Sequence, residues 1–215
     1  MIDLHTHSLL SDGVLVPSEL TRRAAVKGYR GLAITDHVDA SNYETVATQI
    51  LSFVSIAKGD LEIPVIPGVE LTHVPPEIMG VLINKIRDMG IPWIVVHGET
   101  IAEPVRKGTN RAAILAGADL LAHPGLITPD EVKLAAEKGV FLEISARKGH
   151  SLSNGHVAVL AKRYGAQLLL NTDAHIPSDL ITAEFARKVA RGCGLSDQDF
   201  EIIMKNALTC IQKEW

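Results

Sequence analysis

Residues 1–13 read MIDLHTHSLLSDG. A short apolar run ends in His5-Thr6-His7, and an Asp-Gly pair follows at Asp12-Gly13. Side chains two apart on an extended strand point the same way, so the two imidazoles project together. Alone, this pattern is weak, because a lone buried histidine is more often a hydrogen-bonded core residue. Its meaning depends on whether other strands end in the same way.

Short apolar runs recur at residues 2–4, 31–34, 63–69, 92–96, 120–122, 140–144 and 167–170. Apart from Asp3, Glu143 and Gln167 they are continuous in apolar character rather than alternating, as expected of parallel strands buried on both faces. Helix-like stretches lie between them, at 18–27, 43–58, 76–89, 110–116, 129–138 and 154–164. Proline or a capping residue opens several, Thr128 among them, and glycine follows most ends. Two terminal helices are expected at 178–191 and 197–213, the second capped by Ser196. Seven strand–helix alternations predict an α/β protein with a parallel sheet, either a closed barrel or an open doubly wound sheet. No break in composition divides the chain, so residues 1–215 read as one domain.

Of the 215 residues, 47% are hydrophobic, 21% charged and only 4% aromatic, so the core must be built of aliphatic side chains. The formal charge of −4 gives no general attraction to nucleic acid. Cys193 and Cys210 are too few for a disulfide framework and suit a reducing cytoplasm. No leader-like segment stands out, and no apolar stretch reaches the ~18 residues of a membrane span.

The polar residues fall where the apolar runs stop. AITDH (33–37) brings Asp36 and His37, and PGVE (67–70) brings Glu70. IVVHGET (94–100) brings His97, and LLAHPG (120–125) brings His123. FLEISARKGH (141–150) contains Glu143, and LLLNTDAH (168–175) ends in Asp173 and His175. Six of the nine histidines thus lie at or just past a strand's C-terminal end, and independent core histidines would not select that position. In a parallel barrel those ends share one face, where active sites form. Imidazoles and carboxylates converging there are metal ligands by type. His73, His150 and His156 lie off the strand ends and read as surface or rim, with His150 the one best placed to touch substrate.

Together DLHTHSLLSDG, AITDH, HPG and NTDAH, with PGVE and VVHGE between them, resemble the four motifs of the PHP (polymerase and histidinol phosphatase) superfamily. The resemblance runs to about His175. It implies a distorted, TIM-like (β/α)7 barrel with the active site at the C-terminal ends of the strands. It also implies two or three divalent metal ions, zinc, manganese or iron. His5, His7, Glu70 and Asp173 would surround one metal. Glu70 would bridge to a second, held also by His97 and His123. Asp12, His37 and His175 would hold a third; some relatives carry histidine where this chain has Asp12. Glu143 reads as a support behind the ligands or a substrate contact.

The resemblance implies a metal-dependent phosphoesterase, with a phosphoric monoester such as histidinol phosphate as candidate substrate. Metal lowers the pKa of bound water to near ~7, which supplies hydroxide for attack on phosphorus. The segments after His97 and after Glu143 read as active-site loops, each with an Arg-Lys pair. Arg147 and Lys148 are preferred over Arg106 and Lys107 as a phosphate clamp, because they directly follow a strand end. A nuclease or nucleotide phosphatase of the same superfamily, acting on a nucleotide or a short nucleic-acid end, would use nearly the same chemistry. An amidohydrolase-type C–N hydrolase would want a lysine ligand at a middle strand end, where this chain offers Glu70 and His97. A metal-binding module without activity is the remaining alternative. The expected partner is a small phosphorylated substrate rather than a membrane; the sequence says nothing of oligomeric state.

Overall fold

The computed structural model describes residues 1–215. Parallel strands β1 (Leu32–Ile34), β2 (His37–Val38), β3 (Val65–Leu71), β4 (Trp93–His97), β5 (Leu120–Ala122), β6 (Phe141–Ser145) and β7 (Leu168–Asn171) form one sheet. Its order is β1-β3-β4-β5-β6-β7, with β2 also on β3. β1 and β2 share one register against β3, Leu32 opposite Val65 and His37 opposite Glu70, so they are one strand interrupted at Thr35–Asp36.

The sequence predicts a full first strand at residues 2–4. The structure instead holds this segment by two isolated parallel bridges, Asp3 to Leu32 and Thr6 to Ala174. The ladder breaks because Asp3 turns its carboxylate onto the backbone, accepting from Thr172 Oγ1 (2.6 Å), Thr172 N (3.2 Å) and His5 N (3.4 Å). The segment still lies between β7 and β1, so it closes the barrel. His7 N donates to Ala174 O (2.8 Å), and Ala33 N donates to Asp3 O (2.8 Å).

Helices α1 (Pro17–Val26), α2 (Tyr43–Ala57), α3 (Met79–Asp88), α4 (Thr109–Ala116), α5 (Pro129–Lys138) and α6 (Asn154–Tyr164) follow successive strands, and α7 (Ala183–Gly192) and α8 (Asp197–Glu214) end the chain. Local sequence explains their limits. Thr128 and Glu131 form a reciprocal capping box at α5, as do Ser196 and Asp199 at α8. Such a cap contributes about 1 kcal/mol. Two expected boundaries move. A 3-10 turn, Pro76–Ile78, precedes α3, and the expected helix at 178–191 begins only at Ala183. Thr182 sets that start by accepting the Phe185 N–H, which leaves 178–182 as loop.

Aliphatic side chains fill two layers. One lies between sheet and helices and includes Leu32, Ile34, Ile50, Ile83 and Leu142. The other fills the barrel interior with Ile2, Leu4, Ile66, Trp93 and Leu169, joined by Ala207, Cys210 and Ile211 of α8. Helix α8 therefore closes the N-terminal end of the barrel, its Asn206 donating to Leu168 O at the start of β7 (3.1 Å). The apolar filling stops at the opposite end, where polar side chains take over. No helix is long and apolar enough to cross a membrane.

Candidate metal centre

Alternation along each strand decides which side chains enter the barrel mouth. On β3, Ile66 and Glu70 share the inward face; on β4, Trp93, Val95 and His97 share theirs. On β6, Glu143 lies two residues beyond Phe141. The backbone bends at Leu4, which swings His5 and His7 to the inside, where Leu4 itself also packs. His123 and Asp173 follow β5 and β7 with φ of 27° and 52°, and His73 has 53°. These are the non-glycine residues with positive φ, and all three border the mouth, where such strain is retained for function. Glycines shape the same rim. A Cβ at Gly13 would lie 2.5 Å from His7 O, and Gly125 of the HPG turn has φ 62°.

Glu70 stands at the centre, fully buried. Its Oε1 is 3.3 Å from His5 Nε2, 3.4 Å from His97 Nδ1 and 3.7 Å from His123 Nε2. Its Oε2 is 3.5 Å from His7 Nε2 and 2.8 Å from His37 Nδ1. Asp173 Oδ1 lies 3.1 Å from His7 Nε2, and Oδ2 3.7 Å from His123 Nε2. Asp12, on the loop after His7, reaches His175 Nε2 at 3.2 Å and His37 Nε2 at 3.5 Å. All nine residues proposed as ligands from sequence therefore meet. They form overlapping sets with donor atoms within 4.8 Å: His5-His7-Glu70, Glu70-His97-His123, His5-His123-Asp173 and His7-Asp12-His37-His175.

Ten buried side-chain nitrogen and oxygen atoms have no hydrogen-bond partner, and all belong to His5, His7, Glu70, His97, His123 and Asp173. At about 1–3 kcal/mol each, such atoms would cost as much as the whole stability of a domain. Protonation cannot satisfy them together. Burial opposes charge on His5, yet Glu143, Glu70 and Asp173 raise it well above the usual imidazole range. Burial and the charge of neighbouring histidines hold His7 and His123 well below it. Burial pushes the Asp173 carboxyl up to about 7, while His5 and His37 outweigh burial at Glu70 and hold it well below the carboxylate range. Divalent cations would satisfy nitrogen and oxygen donors at once, so the donor set fits them.

Glu143 lies behind this shell. Oε1 accepts from His5 Nδ1 (2.8 Å) and Asn171 Nδ2 (2.9 Å), and Oε2 accepts the His123 N–H (3.0 Å). It therefore fixes the His5 ring with Nε2 inward, the carboxylate–histidine arrangement typical of metal sites. Asp36 braces the loop that carries Asp12, accepting from Ser8 N (2.8 Å), Ser8 Oγ (2.6 Å) and Ser11 Oγ (2.7 Å).

The mouth is a cavity of about 250 Å³ lined by Asp12, His37, Thr72, His97, Glu103, Arg147, His150, Asp173 and His175. It contains no lysine. Arg147 stands at its edge, donating through Nη1 to Asp173 O (2.8 Å); His175 Nδ1 lies 2.8 Å from the same nitrogen and 2.9 Å from Asp173 O, which accepts its N–H when Nε2 is the ligating atom. Lys148 is exposed and faces a neighbouring groove instead. Arg106 is paired with Glu77, and Lys107 faces another cavity.

His150, read from sequence as surface or rim, is buried against His123 with ring centroids 4.0 Å apart. Its Nδ1 meets Thr100 Oγ1 at 2.8 Å, which leaves Nε2 toward Glu103 and Asp173. His156 bonds Ile127 O (2.7 Å) outside the mouth. Sequence reasoning missed Glu103, whose Oε2 lies 3.1 Å from His97 Nε2. Its only sequence signal is an acid six residues past a strand-end histidine.

A sequence profile described as the PHP domain matches residues 3–171. An uncharacterized protein of Methanocaldococcus jannaschii is 46% identical over 205 residues, covering 93% of this chain and 92% of that one. The Escherichia coli 5'-3' exoribonuclease Rnm is 30% identical over 142 residues, 59% of this chain and 44% of its own length. Among solved structures, an archaeal ribonuclease P with mature tRNA, determined by cryo-electron microscopy, contains a chain of similar fold. There the TM-score is 0.74 at 17% identity, over 100% of this chain and 91% of that one. With its profile matched along most of the length and its motif residues gathered at one barrel mouth, the chain belongs to the PHP domain family.

Proposed function

We propose that the protein is a metal-dependent hydrolase of phosphate esters. The observation that carries this reading is the cluster of ten unpartnered nitrogen and oxygen atoms at the ends of successive strands, with His97 and Asp173 of that cluster opening onto one polar cavity. His5, His7, Glu70 and Asp173 would hold one divalent cation. Glu70, His97 and His123 would hold a second, and Asp12, His37 and His175 a third. Zinc, manganese and iron all suit this mixture of imidazole and carboxylate. When bound, such cations lower the pKa of coordinated water toward about 7 and polarise a phosphoryl oxygen.

The chain's own groups do the rest. Glu143 holds His5 in the ligating tautomer, and Arg147 holds the carbonyl of Asp173 beside the His175 ring, so both residues keep their places. The Arg147 guanidinium edges the cavity, where it would meet non-bridging phosphate oxygens. His150, its Nδ1 occupied by Thr100, presents Nε2 to the substrate. Lys148 is close enough in sequence to assist Arg147, but its exposure favours contact with the outer part of a substrate.

A small phosphomonoester, histidinol phosphate among them, matches a cavity of this size. A nuclease reading is favoured by one observation, the relationship to an exoribonuclease. The absence of lysine from the mouth disfavours the amidohydrolase alternative. The two free thiols suit a reducing compartment, which favours a cytoplasmic location. Elemental analysis of purified protein, then release of phosphate or nucleotide from a panel of histidinol phosphate, nucleotides and short 5'-phosphorylated RNA, tests the reading. Metal-loaded protein that cleaves none of them would refute the phosphoesterase reading.

A further inference from the structure

A second, larger concavity adjoins the mouth. It is a groove of about 730 Å³, and Arg147 and His175 line both it and the metal cavity. The two differ in kind. No apolar residue lines the mouth, whereas the groove presents Ile176 and Phe185, which are 43% and 50% exposed. Phe185 lies in the first turn of α7, its N–H bonded to Thr182 Oγ1 (3.2 Å), so its backbone is fixed while the ring stays uncovered. Lys27 and Lys148 join Arg147 along the walls. The one acid there, Asp179, is already engaged with the N–H groups of His175 (3.0 Å) and Ile176 (3.1 Å). A chain of net charge −4 thus gathers two lysines, an arginine that also faces Asp173 (3.5 Å) and Asp179 (3.8 Å), and an exposed aromatic ring beside the metal cavity.

Cations that track a phosphate backbone and an aromatic face that stacks a base are the two elements of single-strand recognition. We propose that this groove seats the end of a single-stranded nucleic acid. One base would stack on Phe185, a neighbouring phosphate would lie against Lys27 and Lys148, and the reacting phosphate would sit at the mouth. This rests on the phosphoester reading and deepens it. A small phosphomonoester would fill the 250 Å³ mouth without reaching Phe185.

The test uses metal-loaded protein and the single variants Phe185→Ala and Lys27→Ala, with thermal melts confirming that each folds. Steady-state kinetics compare a 5'-phosphorylated pentaribonucleotide with p-nitrophenyl phosphate. Fluorescence anisotropy follows a labelled phosphorothioate oligothymidylate. Phe185→Ala should raise the ratio of the two KM values, and the oligonucleotide Kd, by about tenfold. Lys27→Ala should weaken oligonucleotide binding and lower the salt slope by about one. Protein that hydrolyses p-nitrophenyl phosphate while both substitutions leave oligonucleotide KM and Kd unchanged overturns the groove and spares the hydrolase reading. Binding that depends on Phe185 without hydrolysis of any substrate does the reverse.

Discussion

Replacing Glu143 with glutamine keeps the side chain's shape and removes one acceptor. The carboxylate now accepts three hydrogen bonds, from His5 Nδ1, Asn171 Nδ2 and the His123 N–H. The amide cannot. With its oxygen toward His5 and Asn171, its NH2 faces the His123 N–H, donor against donor. With the amide reversed, NH2 faces the Asn171 amide and forces His5 to accept at Nδ1. That tautomer carries its proton on Nε2, the nitrogen 3.3 Å from Glu70 Oε1, and cannot ligate. Either arrangement leaves a buried mismatch of about 1–3 kcal/mol. Losses behind a metal ligand typically run 10–100-fold in affinity, or about 1.4–2.8 kcal/mol. Titrating chelator-treated Glu143→Gln protein with manganese or zinc should therefore show the tightest site weakened by one to two orders of magnitude. Nitrogen-15 NMR of His5 should show the altered tautomer. Unchanged affinity together with a wild-type His5 spectrum would refute the proposed link between Glu143 and the ligand ring.

Three further outcomes are expected. Glu70→Gln should lower phosphoesterase activity by at least about 100-fold, since one group touches both inner cation sets; normal turnover in that variant would contradict the bridging assignment. Chelation should lower the melting temperature, because a ligand at 100 times its Kd stabilises by about 2.7 kcal/mol, or roughly 5–10 °C for a chain of this size; coincident melts with and without chelator would count against a resident metal. Asp36→Ala should release the loop carrying Asp12 and lower metal content by one equivalent while Glu70-centred binding persists; an unchanged stoichiometry would show that the loop needs no such brace.

Much of the site was legible because its residues sit at positions the backbone period dictates. Glu70 and His97 occupy inward positions near the ends of β3 and β4, where apolar character along the run reveals the strand and the polar residue reveals its mouth. Helix caps at Thr128 and Ser196 were readable for the same local reason: a hydroxyl, then an acid three residues on. The first strand was harder. Its apolar run is genuine, but Asp3 diverts hydrogen bonds to its own carboxylate, and that competition depends on Thr172, far away in sequence.

Glu103 and His150 show where local patterning stops. Glu103 lies on a loop and His150 opens a 3-10 turn (His150–Ser153), neither at a periodic position, and they meet only because β4 and β6 flank β5 in the sheet. Their surroundings divide the mouth chemically. Burial opposes a charged His97, but Glu103 and Glu70 outweigh it and raise the ring to about 9, while Glu103 itself is drawn down to about 2, chiefly by the His97 ring 3.1 Å away. A cation bound at His97 Nδ1 must displace a proton from that ring while the Glu103 carboxylate remains beside Nε2. Glu103 thus does for His97 what Glu143 does for His5, but from an exposed loop rather than a buried strand. The inner carboxylate is fixed by the barrel, and the outer one is held on the loop after β4. A cation held at His97 would therefore be the one whose binding this loop can influence, next to His150, whose ring centroid is 5.9 Å from that of His97.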